Sequence, residues 1–86
     1  MTKIKFTKNF KKLYRKLPRN LQTAFDKRLG QFIDDRNNPI LNLHRLKGKL
    51  SHLYSINVSG DCRALYSINE DLIIFQLIGT HSQLYR

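Results

Sequence analysis

YSINVSGDCRALYSI, residues 54–68, is the stretch that decides how this chain folds. Tyr54, Ile56 and Val58 alternate with Ser55 and Asn57, and Ser59-Gly60 marks a turn. Cys62, Ala64, Tyr66 and Ile68 then alternate with Arg63, Leu65 and Ser67. A period of two belongs to strands with one buried face, so the stretch reads as a β-hairpin. Parity sets its register. An odd loop, for instance Ser59-Gly60-Asp61, opposes Val58 to Cys62 and Ile56 to Ala64, gathering the apolar side chains on one face. Asn57 and Arg63 then face each other on the opposite one. An even loop would put Arg63 beside Ile56 and mix the two faces. The expectation is therefore an odd loop and a second face that is polar and open.

Downstream, Asn69-Glu70-Asp71 turns the chain into Leu72–Ile78, which is apolar on both faces, as a central strand is. Upstream of Pro39 the period changes to 3.6. Phe10, Leu13, Tyr14 and Leu17 make an i, i+3, i+4, i+7 stripe behind a Thr7 cap, and Pro18 ends that helix. A second helix is expected from about Arg19 to Arg36, carrying Leu21, Phe25, Leu29, Phe32 and Ile33 on one face, until Asn37-Asn38-Pro39 stops it. Lys3–Phe6 alternates charge with Ile4 and Phe6 and suits a short edge strand. The expected architecture is α+β: an N-terminal strand and a helical hairpin packed on one face of a small, largely antiparallel sheet.

Eighty-six residues leave no room for a second core, so residues 1–86 are read as a single domain. Nine aromatics and 41% hydrophobic residues argue against disorder. No run approaches the roughly 18 apolar residues of a membrane span, and Met1–Phe6 lacks the apolar core of a signal peptide. The one cysteine, Cys62, excludes an internal disulfide and a cysteine-based zinc cluster, and fits a reducing, cytoplasmic setting. The charge is lopsided. Residues 1–49 hold fourteen Lys and Arg against three acids, whereas residues 50–86 hold two against three. Lys8, Lys11, Lys12, Arg15 and Lys16 cover the outside of the first helix. A field of that sign attracts phosphate backbones and acidic proteins, and by itself does not choose between them.

Few residues in the sheet half suit chemistry. His44 precedes the main strands, Asp61 sits at the first hairpin tip and His81 follows the last strand. Antiparallel topology allows the three to converge at one edge of the polar face, near Arg63, Lys47 and Lys49. Imidazoles, a carboxylate and cations are what metal-free RNA cleavage needs. A base takes the 2′-hydroxyl proton, cations stabilise the crowded phosphate, and an acid protonates the leaving 5′-oxygen. Each residue also has an ordinary reading, and His52 gets only that one. Asp61 suits a turn, and a lone imidazole proves nothing. A zinc site from His44, Asp61 and His81 lacks any short-spaced ligand pair, so no metal and no cofactor is expected.

A basic helical hairpin, then LHRLKGKL (residues 43–50), GDCRALY (60–66) and IGTHSQLY (78–85), is a sequence order that resembles the RelE/ParE superfamily of bacterial toxins. Within it, the order is most similar to the YafQ-type mRNA interferases. The resemblance implies a cytoplasmic toxin that enters the ribosomal A site and cleaves translated mRNA without a metal, restrained by a cognate acidic antitoxin. It implies catalytic roles for His81, Asp61 and His44, and a phosphate contact by Arg63. Tyr85 stands where relatives carry an aromatic that orients the substrate base. Arg45, Lys47, Lys49 and Asn57 are expected to contact RNA. The branch has a further histidine where this chain has Asn57, and an amide does not shuttle protons near pH 7. An alternative on the same fold is a ParE-like toxin that inhibits DNA gyrase by binding. A basic binding module without toxicity is a third reading.

Overall fold

In the computed structural model, residues 3–85 are described; Met1, Thr2 and Arg86, the ends of the expected domain, lie outside them. Strand β1 (Lys3–Phe6) leads into α1 (Lys8–Lys16), whose cap is Thr7: its side-chain oxygen accepts from the Phe10 N–H at 3.0 Å. Helix α2 (Arg19–Asp34) follows across Leu17-Pro18. The Gln22 side chain donates to the Tyr14 carbonyl, and the Tyr14 hydroxyl donates to Asp26, which ties the two helices into the expected hairpin. Two single 3-10 turns, Pro39–Leu41 and Gly48–Leu50, flank the short β2 (His44–Arg45). Strands β3 (Tyr54–Ser59), β4 (Cys62–Asn69) and β5 (Leu72–Thr80) come next, and α3 (His81–Leu84) closes the order.

The sheet runs β1-β5-β4-β3-β2, with β1 parallel to β5 and the other neighbours antiparallel. β1 is thus the expected edge strand, and β5 is covered on both sides over its first half. The helical hairpin packs on one face. Phe75 is fully buried at the centre of five rings, Phe6, Phe10, Phe25, Phe32 and Tyr66, at centroid distances of 5.5–5.7 Å. Burial of the Tyr66 ring pushes its hydroxyl up to about 12.

Four expectations need correction. Helix α2 ends at Asp34, not Arg36, because the Asp35 carboxylate accepts from the Asn37 N–H in a local turn that competes with the helix. Ile33 is 63% exposed, not part of the buried stripe. Phe32 and Ile33 are about 100° apart on a helix, and the larger ring takes the core side. The β3–β4 loop is even: Ser59 opposes Cys62 across Gly60-Asp61. Gly60 has φ +52° at the first loop position, where a two-residue hairpin turn favours glycine. A bulge between Asn57 and Ser59 restores the parity, so the Ile56–Ala64 and Asn57–Arg63 pairs stand as expected, whereas Val58–Cys62 does not form.

The second face is not simply polar. Leu65 (0% exposed) and Ser55 (1%) are buried there, outside the main core cluster. Leu65 opposes Ser55 on one side and Leu77 on the other. Leu46 donates its N–H to the Leu53 carbonyl, extending the β2–β3 ladder. By strand alternation Leu46 and Leu53 then fall on this face too. A second bulge between Leu65 and Tyr66 on the β4–β5 ladder leaves Gln76 without an opposite residue. The Gln76 amide donates to the Ser67 hydroxyl, while Phe75 and Ile78 are both buried in the core.

Candidate functional site

The β3–β4 turn and the end of β5 meet at one corner of the sheet. Asn57 opposes Arg63, and Arg63 opposes Gly79. Directly opposed residues share a face, so the three form a rung on the side away from the helical hairpin. Asp61 comes just before this ladder begins and His81 just after it ends. They meet through the backbone: the His81 N–H donates to Asp61 Oδ2 at 3.3 Å.

Beyond Thr80 the chain turns at once into α3, which sequence reading did not anticipate. Thr80 is its N-cap. The Thr80 hydroxyl oxygen accepts from the Gln83 N–H at 3.4 Å, and Gln83 Oε1 accepts from the Thr80 N–H at 2.8 Å. The pattern T-x-x-Q at 80–83 is a capping-box signature and would have announced the helix. One turn on, the Tyr85 N–H donates to the His81 carbonyl at 2.9 Å. The His81 and Tyr85 rings lie 4.4 Å apart, tilted by 44°. The Tyr85 hydroxyl is buried and has no hydrogen-bond partner among the described residues. A buried donor left unmet is costly.

His44 does not join this corner. It opposes Ser55, so it shares the face of Arg63, yet it stands two strands away. Ordinary strand spacing and rise put the two Cα atoms about 12 Å apart. His44 Nδ1 lies 2.9 Å from the Asn42 carbonyl oxygen. A carbonyl only accepts, so Nδ1 carries the proton in this contact and Nε2 is the nitrogen left to meet a ligand. Arg45 opposes Tyr54 and places its guanidinium carbon 6.0 Å from that ring's centroid, on the face opposite Arg63. Its Nε donates to the Ser51 carbonyl. Lys47, Lys49 and His52 are exposed between β2 and β3. The zinc set His44, Asp61 and His81 is not assembled: among the described residues, no three His, Cys, Asp or Glu side chains are grouped to hold a metal.

Cys62, next to Asp61 in sequence, is buried in the core, and burial followed by the Asp61 charge pushes its thiol up, so it is a packing residue and a poor nucleophile. A cavity of about 810 Å³ lies between the helical hairpin, β5 and α3, lined by Leu13, Leu17, Leu21, Leu77 and Leu84 among others. It includes none of Asp61, Arg63, His81 and Tyr85. The candidate site is a surface corner, which suits a polymer rather than an enclosed small molecule.

The family model for the ParE toxin of type II toxin-antitoxin system, parDE, matches residues 4–85. Among solved structures, YafQ from E. coli strain BL21(DE3) superposes with a TM-score of 0.85 at 16% identity, over the whole of both chains. The E. coli DinJ-YafQ toxin-antitoxin complex gives 0.81 at 17%, covering 99% of this chain and 98% of that one. The RelB-RelE antitoxin-toxin complex from Methanococcus jannaschii gives 0.73 at 22%, covering 93% of each. These likenesses establish the fold. No curated protein sequence matches the chain.

Proposed function

The chain belongs to the ParE toxin family of type II toxin-antitoxin systems, within the RelE/ParE superfamily, and on that footing we propose that it is a ribosome-dependent endoribonuclease that cleaves translated mRNA by metal-independent acid–base catalysis. The observation that carries this reading is the meeting of Asp61, His81 and Tyr85 beside the Asn57–Arg63 rung. A toxin that acted by binding alone has no use for a histidine and an aspartate brought to one corner beside an arginine.

In this reading His81 protonates the leaving 5′-oxygen, and Arg63 neutralises the phosphate as charge builds on it. One oxygen of Asp61 is taken up by the His81 N–H, which leaves the other to draw the proton from the 2′-hydroxyl. The ring of Tyr85 stacks on a substrate base, as aromatic side chains do with splayed RNA. His44, across the face with Nε2 free, meets the same RNA strand further along, with Lys47 and Lys49 on its phosphates; Asn57 adds a hydrogen bond beside Arg63. Alignment by the ribosome supplies what so small a set of groups lacks, since positioning alone is worth several kcal/mol.

The partners in this reading are the ribosome, its mRNA and an acidic antitoxin, and the site of action is the cytoplasm. Relatives of the same fold are solved with antitoxins, DinJ on YafQ and RelB on RelE. Here fourteen basic residues in the first 49 positions provide the complementary charge. No helix among the described residues is long and apolar enough to cross a membrane.

The second reading, inhibition of DNA gyrase by binding, draws on the family model itself, which is that of ParE. A cell-free translation reaction decides between them. Cleavage of mRNA within translating ribosomes, leaving 2′,3′-cyclic or 3′-phosphate and 5′-hydroxyl ends, is the expected result. Intact mRNA with gyrase supercoiling blocked would replace the first reading by the second. Residual cleavage of naked RNA that vanished with a chelator, returned with zinc or manganese and left 5′-phosphates would overturn the acid–base mechanism.

A further inference from the structure

Helix α3 has only four residues, His81–Leu84, and one turn of helix does not hold itself. The bond that closes it, from the Tyr85 N–H to the His81 carbonyl, joins the two residues whose rings form the corner. What fixes this turn comes from side chains. Gln83 Oε1 takes the Thr80 N–H, Thr80 Oγ1 takes the Gln83 N–H, and Asp61 takes the His81 N–H. Gly79 completes the device. A Cβ at Gly79 would stand 2.7 Å from Gln83 Oε1, closer than atoms tolerate, so only glycine lets the amide fold back onto Thr80.

We infer that Gln83 is a positioning residue for cleavage: its folded-back amide, seated over Gly79, sets the orientation of His81 and Tyr85 against the Asn57–Arg63 rung. Gln83 touches no reacting atom. It acts through the Thr80 N–H and the pitch of a single turn. The inference rests on the nuclease reading above, and its test separates the two.

Three variants isolate the device. Gln83→Ala removes the acceptor, Gln83→Glu keeps one in the same place, and Gly79→Ala leaves Gln83 in the chain while evicting its amide. Displacement of a catalytic group by about 1 Å costs on the order of 10²-fold in rate. Gln83→Ala and Gly79→Ala are therefore each expected to lower kcat about 10- to 100-fold, with KM within about twofold. Gln83→Glu should stay within about threefold of the parent. Because both damaging changes break one bond, the double variant should be no worse than either alone. The ring contact at 4.4 Å supplies a readout independent of activity: the His81 ring-proton shifts, moved by the Tyr85 ring current, should change in Gln83→Ala and Gly79→Ala and not in Gln83→Glu.

An active parent whose Gln83→Ala form cuts within about threefold of it overturns the inference. So does a Gln83→Glu form that falls as far as Gln83→Ala, or a double variant whose losses multiply. A parent that cuts nothing refutes the nuclease reading instead. The ring-shift comparison then still decides whether Gln83 orients the corner, and unchanged shifts in Gln83→Ala would refute that as well.

Discussion

Replacing His81 by alanine should remove chemistry and leave the fold, and the structure gives the reason for both halves. The hydrogen bonds that His81 makes within the protein run through its backbone: its N–H to Asp61 and its carbonyl from Tyr85. Alanine keeps both. The imidazole itself is exposed and contributes its packing on the Tyr85 ring, for which about 0.5 kcal/mol is generous at the surface. For a domain of this size that corresponds to a Tm change of about 2–4 °C. A general acid contributes roughly 10²–10⁴-fold to rate, or about 2.7–5.4 kcal/mol of barrier. The expected signature is therefore a large loss of cleavage with a nearly unchanged melting curve. Primer extension on mRNA in a cell-free translation reaction gives the rate, and a thermal melt gives the stability. A loss below about tenfold in a folded His81→Ala protein would remove His81 from the mechanism.

Asp61→Asn keeps an oxygen for the His81 N–H and loses the basic carboxylate, so cleavage should fall about 10²-fold or more at unchanged Tm; a fully active Asp61→Asn would leave Asp61 with an anchoring role only. Neutralising Lys8, Lys11, Lys12, Arg15 and Lys16, all exposed on α1, should weaken ribosome binding and make its salt dependence shallower. An unchanged salt slope would assign that helix to another partner or to solvent. The Tyr66 hydroxyl is pushed from the usual 10 up to about 12, chiefly by burial. The folded state therefore holds that proton where the unfolded chain releases it, and stability should fall by about 2 kcal/mol as pH rises from 10 to 12. Tyr66→Phe should abolish most of that loss in alkaline denaturation curves, and a curve identical to the parent's would refute the assignment.

Periodicity told helix from strand because burial on one face imposes it, and Leu17-Pro18 carried the first break in its own backbone chemistry, whereas the second came at Asp35, before Asn37-Asn38-Pro39. The fate of single positions was less legible. Phe32 and Ile33 look alike in sequence, yet only one can face the sheet. The two bulges, at Asn57/Ser59 and Leu65/Tyr66, keep the apolar residues in phase by adding a residue that alternation alone does not announce. The T-x-x-Q box was in plain view at 80–83, and it is the one missed element that local pattern could have supplied.

What the sequence alone determined is what short-range physics controls: the two long helices, the strands β1 and β3 to β5 in their order along the chain, most of the core stripe, the cationic first half and the residue types suited to proton transfer. Only the tertiary structure decided which of those types meet. Asp61 and His81 are twenty positions apart and touch because β4 and β5 are antiparallel neighbours. His44 carries the same imidazole and is left across the face, because β3 and β4 intervene. Distance along a sheet is set by strand order, which depends on the packing of the whole core, and no local stretch of residues encodes it.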